Sequence, residues 1–258
     1  MQGSGRLFYN TYVVVSCACF SIAIALHFIQ NGIIQQVDYG HHIASAIAAK
    51  PFGLYDDFES STYELKDGQT SPNGKWKVEY NGFGAAGVVT VGNDNSFFMY
   101  PKKSVMKSET HSNLIRTVKK YKNFDVSIDT VTEKQLRQND SPSSWEVAWI
   151  MFRYVDKFHH YYFVLKTNGY ELGKVDNDRS INKQIFLVTE ESNSTRLDIG
   201  NWQHVRINMN DNHIRVWVNG SKIIDIIDTN MKDVLKKGYI GLYDEDAFVK
   251  FNNIYIKS

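Results

Sequence analysis

From Lys50 onward the chain is written in short apolar–polar runs broken by Gly, Asn, Asp and Ser, and this punctuation limits the folds open to it. WKVEY, VVTV, SFFMY, NLIRTV, FDVSIDTV, WEVAWIMFRY, YYFVLK, YELGKV, QIFLVT, QHVRINM, HIRVWV, KIIDII, GYIGLY and FVKFNNIYI each read as a strand. Many short strands at close spacing, without long helical periods between them, predict an all-β antiparallel sandwich or barrel. One short helical stretch is expected, DTNMKDVLKK at residues 228–237. No repeat of propeller length is present, which excludes a propeller.

The run from Trp145 to Asp176 differs from an ordinary strand pair. At period two, Trp145, Val147, Trp149, Met151 and Arg153 share one face, and Glu146, Ala148, Ile150, Phe152 and Tyr154 the other. A sheet strand usually has one dry and one wet face. Here both are apolar or aromatic, so each must be covered, one by a second sheet and the other by a loop, a partner or a flat ligand. Asn168-Gly169 then reads as a type I′ hairpin turn, pairing Lys166 with Glu171 and Leu165 with Leu172. That register makes Lys166–Glu171 an exposed cross-strand ion pair or, facing a ligand, part of a site. Lys174 and Asp176 fall on the face of Phe163 and Leu165, so the strand either bulges at Gly173 or they lie beyond the core edge. Around Asn219-Gly220 the pairs are Val218 with Ser221, Trp217 with Lys222 and Val216 with Ile223. Ile214, Val216, Val218 and Ile223 then form a core face, and Val205, Ile207 and Met209 agree with it.

Ahead of this domain, residues 7–37 contain no Asp, Glu, Lys or Arg, and TYVVVSCACFSIAIALHFI is apolar enough to cross a bilayer as a helix. The small-residue motifs near residues 44–48 lie far downstream of the apolar core, and the run continues past Cys17. The reading is therefore an uncleaved signal anchor, with secretion after cleavage as the alternative. The chain divides into a cytoplasmic tail (1–11), a transmembrane helix (12–34), a linker (35–52) and a β domain (53–258). Both cysteines, Cys17 and Cys19, precede that domain, which folds without disulfides. Asn-x-Ser/Thr sequons at Asn139, Asn193 and Asn219 are compatible with an exterior location. A net charge of +1 gives no basic stripe for nucleic acid.

The run GNWQHVRINMNDNHIRVWVNGSKIIDI, followed by GYIGLYDEDAFVKFNNIYI, resembles the C-terminal half of concanavalin A-like lectin/glucanase domains. More closely, it resembles the laminin-G-like and 3-keto-disaccharide hydrolase (family-16-glycosidase-like) jelly rolls. The resemblance spans about Tyr55 to Lys257 and implies a two-sheet antiparallel jelly roll with a concave face that meets carbohydrate in many relatives. The Glu-x-Asp-x-x-Glu strand of family-16 glucanases is missing. Asp125 and Asp129 share a strand face, but four strand steps separate them by roughly 13 Å, against about 5 to 10 Å for a glycosidase pair. A hydrolytic mechanism would have to recruit a carboxylate such as Glu146 or Glu171.

The candidate ligand-binding residues are Trp145, Trp149 and Arg153, with Lys166 and Glu171 across the next hairpin. A pyranose stacks its C–H face on an indole while Arg and amide groups bind its hydroxyls. The alternative is that the rings pack beneath the loop of residues 135–144, whose Gln135 and Arg137 reach across the mouth of the ribbon or stay solvated. A structural Ca²⁺ is a second expectation: Asp57 opens the domain, Asp244 and Asp246 precede its last strand, and a jelly roll commonly brings first and last strands together. The sequence thus predicts a membrane-anchored, outward-facing, lectin-like domain whose partner is a polysaccharide or glycan. A glycoside hydrolase or related sugar-processing enzyme, and a structural envelope or adhesion protein, are the alternatives.

Overall fold

Alternating apolar and polar residues give each strand one face to bury, and two sheets facing each other satisfy that demand. The computed structural model describes residues 52–177 and 183–258. The tail, transmembrane helix and most of the linker expected before residue 52 lie outside them. The first eight strands are β1 (Phe52–Asp56), β2 (Tyr63–Leu65), β3 (Trp76–Tyr80), β4 (Ala85–Val91), β5 (Asp94–Tyr100), β6 (Leu114–Thr117), β7 (Phe124–Gln135) and β8 (Ala148–Asp156). The next eight are β9 (His159–Lys166), β10 (Gly169–Asp176), β11 (Gln184–Glu191), β12 (Gln203–Asn210), β13 (His213–Val218), β14 (Ser221–Ile227), β15 (Tyr239–Asp244) and β16 (Ala247–Lys257).

These strands form two antiparallel sheets. The nine-stranded sheet runs β14-β13-β12-β7-β16-β5-β4-β2, with β1 also paired to β16, and the seven-stranded sheet runs β11-β10-β9-β8-β15-β6-β3. The expected helix is reduced to one 3-10 turn, Asp233–Lys236. Val205, Ile207 and Met209 are buried and His204 and Arg206 exposed, as their alternation requires. In the seven-stranded sheet, Phe152 stacks on Tyr161 with centroids 5.3 Å apart, and Phe124 of the opposing sheet packs edge-on against Phe152 at 6.0 Å. That contact fixes which face of β8 looks into the sandwich. Lys174 and Asp176 also turn inward, and both are buried. The Lys174 ammonium lies 2.8 Å from Asp228 and 3.4 Å from Asp176, and the Tyr161 hydroxyl donates to Asp228 at 2.6 Å. A charge taken this far from water persists only when paired and hydrogen-bonded.

Both hairpins depart from their expected registers. At the second, Val218 pairs with Ser221 and Trp217 with Lys222, but a bulge then pairs Val216 with Ile224, so Ile224 rather than Ile223 is the fully buried member. At the first, Gly169 pairs with Lys166 and Glu171 with Val164, which puts the turn at Thr167-Asn168. Gly169 is a strand residue, needed because β11 passes so closely that a Cβ there would fall 2.0 Å from the Glu190 carbonyl oxygen.

Candidate functional site

The outward face of β8 begins as alternation predicts, with Trp149 and Met151, and then breaks. Arg153 has φ +46°, and the β8–β9 pairing is irregular between Phe152 and Asp156. The bulge turns Arg153 away from Trp149 into full burial. There its guanidinium donates to the carbonyls of Lys122, at 2.8 and 3.0 Å, and of Leu235, at 3.1 Å. Burial pulls the Arg153 pKa down. Gly238 accommodates this bend, because a Cβ at that position would lie 2.3 Å from the Arg153 carbonyl carbon. Arg153 therefore does not join the two tryptophans, and Tyr154 takes the outward place instead.

With Tyr154 outward, a line of rings forms along three neighbouring strands. Trp149 packs on Tyr162 at 5.0 Å and edge-on against Tyr243 at 5.7 Å, while His160 lies 6.4 Å from Tyr162 and 5.8 Å from Tyr154. Trp149, Tyr154, His160 and Tyr243, joined by Tyr80 and Glu245, wall a cleft of about 250 Å³. Trp149 is its buried floor, and its indole N–H donates to the Trp145 carbonyl at 2.8 Å. Trp145 precedes β8, is 47% exposed and lies outside the cleft lining, and its side chain reaches the cleft through a hydrogen bond to Glu245.

Burial displaces one carboxyl, one imidazole and three phenols of the cleft from their ordinary values. Burial pushes the Glu245 carboxyl up to about 7; the nearby Asp246 and Glu146 charges add to this, and hydrogen bonds from Tyr243 and Trp145 oppose it. The Tyr243 hydroxyl lies 3.2 Å from Glu245 Oε2. Burial pulls His160 down to about 4, which leaves its imidazole neutral at pH 7. Tyr80 is pushed up to about 12, and Tyr154 and Tyr243 are also raised by burial, so these phenols stay protonated. The result at pH 7 is one carboxyl near its midpoint among neutral phenols and a neutral imidazole, with Lys157 on the same lining.

The remaining sequence-predicted residues do not line the cleft. Lys166 and Glu171 are buried rather than exposed, with Nζ 3.5 Å from Oε2, and Tyr162 donates to the other Glu171 oxygen at 2.8 Å. Gln135 donates to the Ser143 carbonyl at 2.8 Å, closing the base of its loop. Arg137 does not reach across a mouth: its buried guanidinium bridges Glu146 at 2.6 Å and Asp246 at 2.7 Å and also donates to the Met106 and Glu109 carbonyls. Glu146 is buried in that pair, so as a catalytic carboxylate it is occupied. The expected calcium ligands do not converge. Asp56, next to Asp57, pairs with Ile254, most of the length of β16 from Asp246, roughly 25 Å away. Asp57 instead accepts from the Tyr55 hydroxyl, Asp244 from the Asn113 N–H, and Asp246 from Ser104 and Arg137. No group of three or more His, Cys, Asp or Glu among the described residues has the arrangement to hold a metal ion.

A Ser–His–acid chain that sequence spacing does not reveal forms beside Arg137. Ser104 Oγ lies 3.0 Å from His111 Nδ1, and His111 Nε2 lies 3.3 Å from Glu109. Ser104 is fully buried and donates its proton to Asp246, so it fastens a loop and is not placed as a nucleophile. Sequence reading also missed Tyr154, Tyr162 and Tyr243, took His160 for a surface residue and read Glu245 only as one of the acids before the last strand. The signal for two of them was present: Gly241, Tyr243 and Glu245 alternate, and Tyr243 pairs with Trp149 across β15 and β8.

A family model described as a 3-keto-alpha-glucoside-1,2-lyase-like domain matches residues 53–257. No curated protein matches. Among solved structures, the carbohydrate binding module CBM66 from Bacillus subtilis is 13% identical with a TM-score of 0.51, covering 71% of this chain and 96% of that one. A Bacteroides ovatus mixed linkage glucan GH16 protein in complex with its G4G4G3G product is 10% identical with a TM-score of 0.46, covering 75% and 97%. A beta-1,3-glucanase from Mycobacterium marinum is 8% identical with a TM-score of 0.42, covering 81% and 100%. At 13% identity the likeness to the binding module is one of fold alone.

Proposed function

Because the chain belongs to the family of 3-keto-alpha-glucoside-1,2-lyase-like domains, we propose that it is a saccharide-recognising domain whose ligand enters the cleft above Trp149. The observation that carries this reading is the cleft itself, a ring-walled recess with Glu245 in its wall and the exposed Trp145 side chain hydrogen-bonded to that carboxyl. A sugar ring offers apolar C–H faces and a fringe of hydroxyls. Trp145 and the half-exposed Tyr80 suit the faces, and Glu245, Gln184 and Lys157 suit the hydroxyls. The similarity of fold to a carbohydrate binding module supports the same reading. The apolar run at residues 12–34 supports an anchored, outward-facing domain. No helix among the described residues is long and apolar enough to cross a membrane, and the run itself lies outside them.

A second reading is favoured by one observation, the Glu245 carboxyl raised to about 7. A hydrolase would need a second free carboxylate about 5 to 10 Å away, but Glu146 and Glu171 are held by Arg137 and by Lys166 with Tyr162. Eliminating across C1 and C2 of a 3-keto glucoside is less demanding. One base removes the C2 proton acidified by the neighbouring ketone, and one acid protonates the departing glycosidic oxygen. Glu245 near its midpoint suits the base and a protonated phenol such as Tyr80 the acid.

The test is titration of the full-length chain on a glycan array, repeated with Trp145→Ala and Glu245→Gln. Binding that both substitutions abolish supports the reading, and binding indifferent to both removes the cleft as the site. Incubating the same chain with a 3-keto glucoside separates recognition from elimination by release of the aglycone.

A further inference from the structure

The outer face of the nine-stranded sheet holds a second recess, unrelated to the cleft on the other sheet. It spans β5, β16 and β7 and has a volume of about 310 Å³, within the range of small-ligand pockets, about 300 to 1,000 Å³. Trp202 stands over it, 48% exposed. The loop carrying Trp202 is seated on β7 by a hydrogen bond from the Gly200 N–H to the Thr132 carbonyl at 2.8 Å.

The polar lining is built. The β16 pairing shifts between Asn252 and Tyr255, and Asn253 sits in the left-handed region at φ +48°. A bulge of this kind re-aims side chains. Here it sends the Asn253 amide to Asp129, at 2.8 Å, while Asn252 donates to the Asn95 carbonyl at 3.1 Å. A side-chain amide has two N–H donors and two lone-pair sites, so each of these bonds leaves capacity for a ligand. On the floor, Ser96 is 4% exposed, and its hydroxyl has no hydrogen-bond partner among the described residues.

The charges select the ligand. Asp94, Asp129 and Glu133 line the recess with Lys250 as the one ammonium; Lys250 lies 2.7 Å from Glu133, and the His204 imidazole, outside the lining, lies 2.6 Å from Asp129. The excess of carboxylates repels an acidic sugar. The carboxylates are not a cation cage, since no metal-holding group exists among the described residues.

We propose that this recess is a second, independent binding site for a neutral saccharide, with Trp202 as the stacking platform and Asn95, Asn252, Asn253 and Asp129 as hydroxyl partners. A chain with sites on opposite outer faces engages two segments of one polysaccharide, or two chains, and gains avidity without tighter single contacts.

Indole N–H NMR signals of the full-length chain test this, with Trp202→Phe assigning the Trp202 signal. Maltose, cellobiose and laminaribiose serve as neutral probes and digalacturonate as the acidic one. At least one neutral disaccharide is expected to shift the Trp202 signal, equally in the Glu245→Gln background, and Trp202→Ala is expected to weaken that binding at least about tenfold. Digalacturonate is expected to leave the signal in place. The proposal is overturned if no neutral disaccharide moves the Trp202 signal, if its movement disappears in Glu245→Gln, or if digalacturonate moves it as strongly. Failure of the cleft reading registers separately, as a Trp145 signal that does not respond.

Discussion

On the outer face of the seven-stranded sheet, Glu171 and Lys166 pair at 12% and 8% side-chain exposure. On the outer face of the nine-stranded sheet, Asp125 and Arg206 pair at 24% and 46%, with two hydrogen bonds of 2.6 and 2.8 Å. Both are carboxylate–cation contacts between neighbouring strands, and the second has the better geometry. The difference lies in what surrounds them. Tyr162 donates to Glu171, and Trp149 packs on Tyr162. Arg206 lies over the half-buried Trp217 ring, 4.6 Å from its centroid, with solvent beyond. Along β8 to β10 one sheet has dried its outer face, while along β7 and β12 the other has left its own wet. Contact distance alone would rank the two pairs the wrong way round for stability.

The largest effect should come from the ring at the centre of the dry face. Trp149→Ala is expected to cost about 3–5 kcal/mol, whereas Trp217→Ala on the wet face should cost less than about 1.5 kcal/mol. Urea unfolding of both variants checks this, and equal losses would erase the distinction between the faces. Next comes Glu171→Ala, which leaves the Lys166 ammonium buried without its carboxylate. Removing one member of a buried pair costs on the order of 3–5 kcal/mol, and the partial exposure of this pair puts the expectation near the lower end. Adding Lys166→Ala should recover part of the loss, because the stranded charge leaves with it.

This contrast also explains which parts of the molecule could be read from the chain. Val205, Ile207 and Met209 declared their buried face because His204 and Arg206 between them meet water. β8 to β10 are buried on both faces, so alternation shows that both sides are covered without saying which side chain points where. The bulge at Arg153 carries no glycine of its own. Its mark is Gly238, distant in sequence and legible only once the backbones touch. Gly169 beside Asn168 imitates a turn signal, yet its role is to let β11 pass. The aromatic floor was therefore visible through Trp149. Glu245 and His160 draw their character from burial that β15, β9 and the loop before β8 create together.

Within the dry cleft, two titrations should oppose one another. The folded Glu245 carboxyl, at about 7, lies above its ordinary value of 4.5. Its contribution to stability is complete below pH 4.5 and is lost as pH rises towards 7. The folded His160 imidazole, at about 4, lies below its ordinary value of 6.5. Its contribution is complete above pH 6.5 and is lost as pH falls towards 4. Relative to the parent protein, the melting temperature of Glu245→Gln should rise from pH 4.5 to 7, and that of His160→Asn should rise as pH falls from 6.5 to 4. Thermal melts across this interval decide it. Parallel pH curves for parent and variants would mean that water reaches both groups and that the cleft is as wet as the opposite face.

The smallest effect belongs to the pair with the best geometry. Asp125→Ala should cost no more than about 1 kcal/mol despite its two short hydrogen bonds, because water competes for both ends of an exposed pair. The Trp217 ring, 4.6 Å from the Arg206 guanidinium, remains a second partner for that cation. Salt sharpens the contrast further. At 1 M ionic strength the screening length falls to about 3 Å, so a double-mutant cycle on Asp125 and Arg206 should lose most of its coupling. The cycle on Glu171 and Lys166 should keep its coupling, since mobile ions cannot enter the space that Tyr162 and Trp149 fill. If the two couplings fell together with added salt, Glu171 would be reachable from solvent, and the dry face would have to open in solution far enough to admit counterions, and with them a ligand, beneath Trp149.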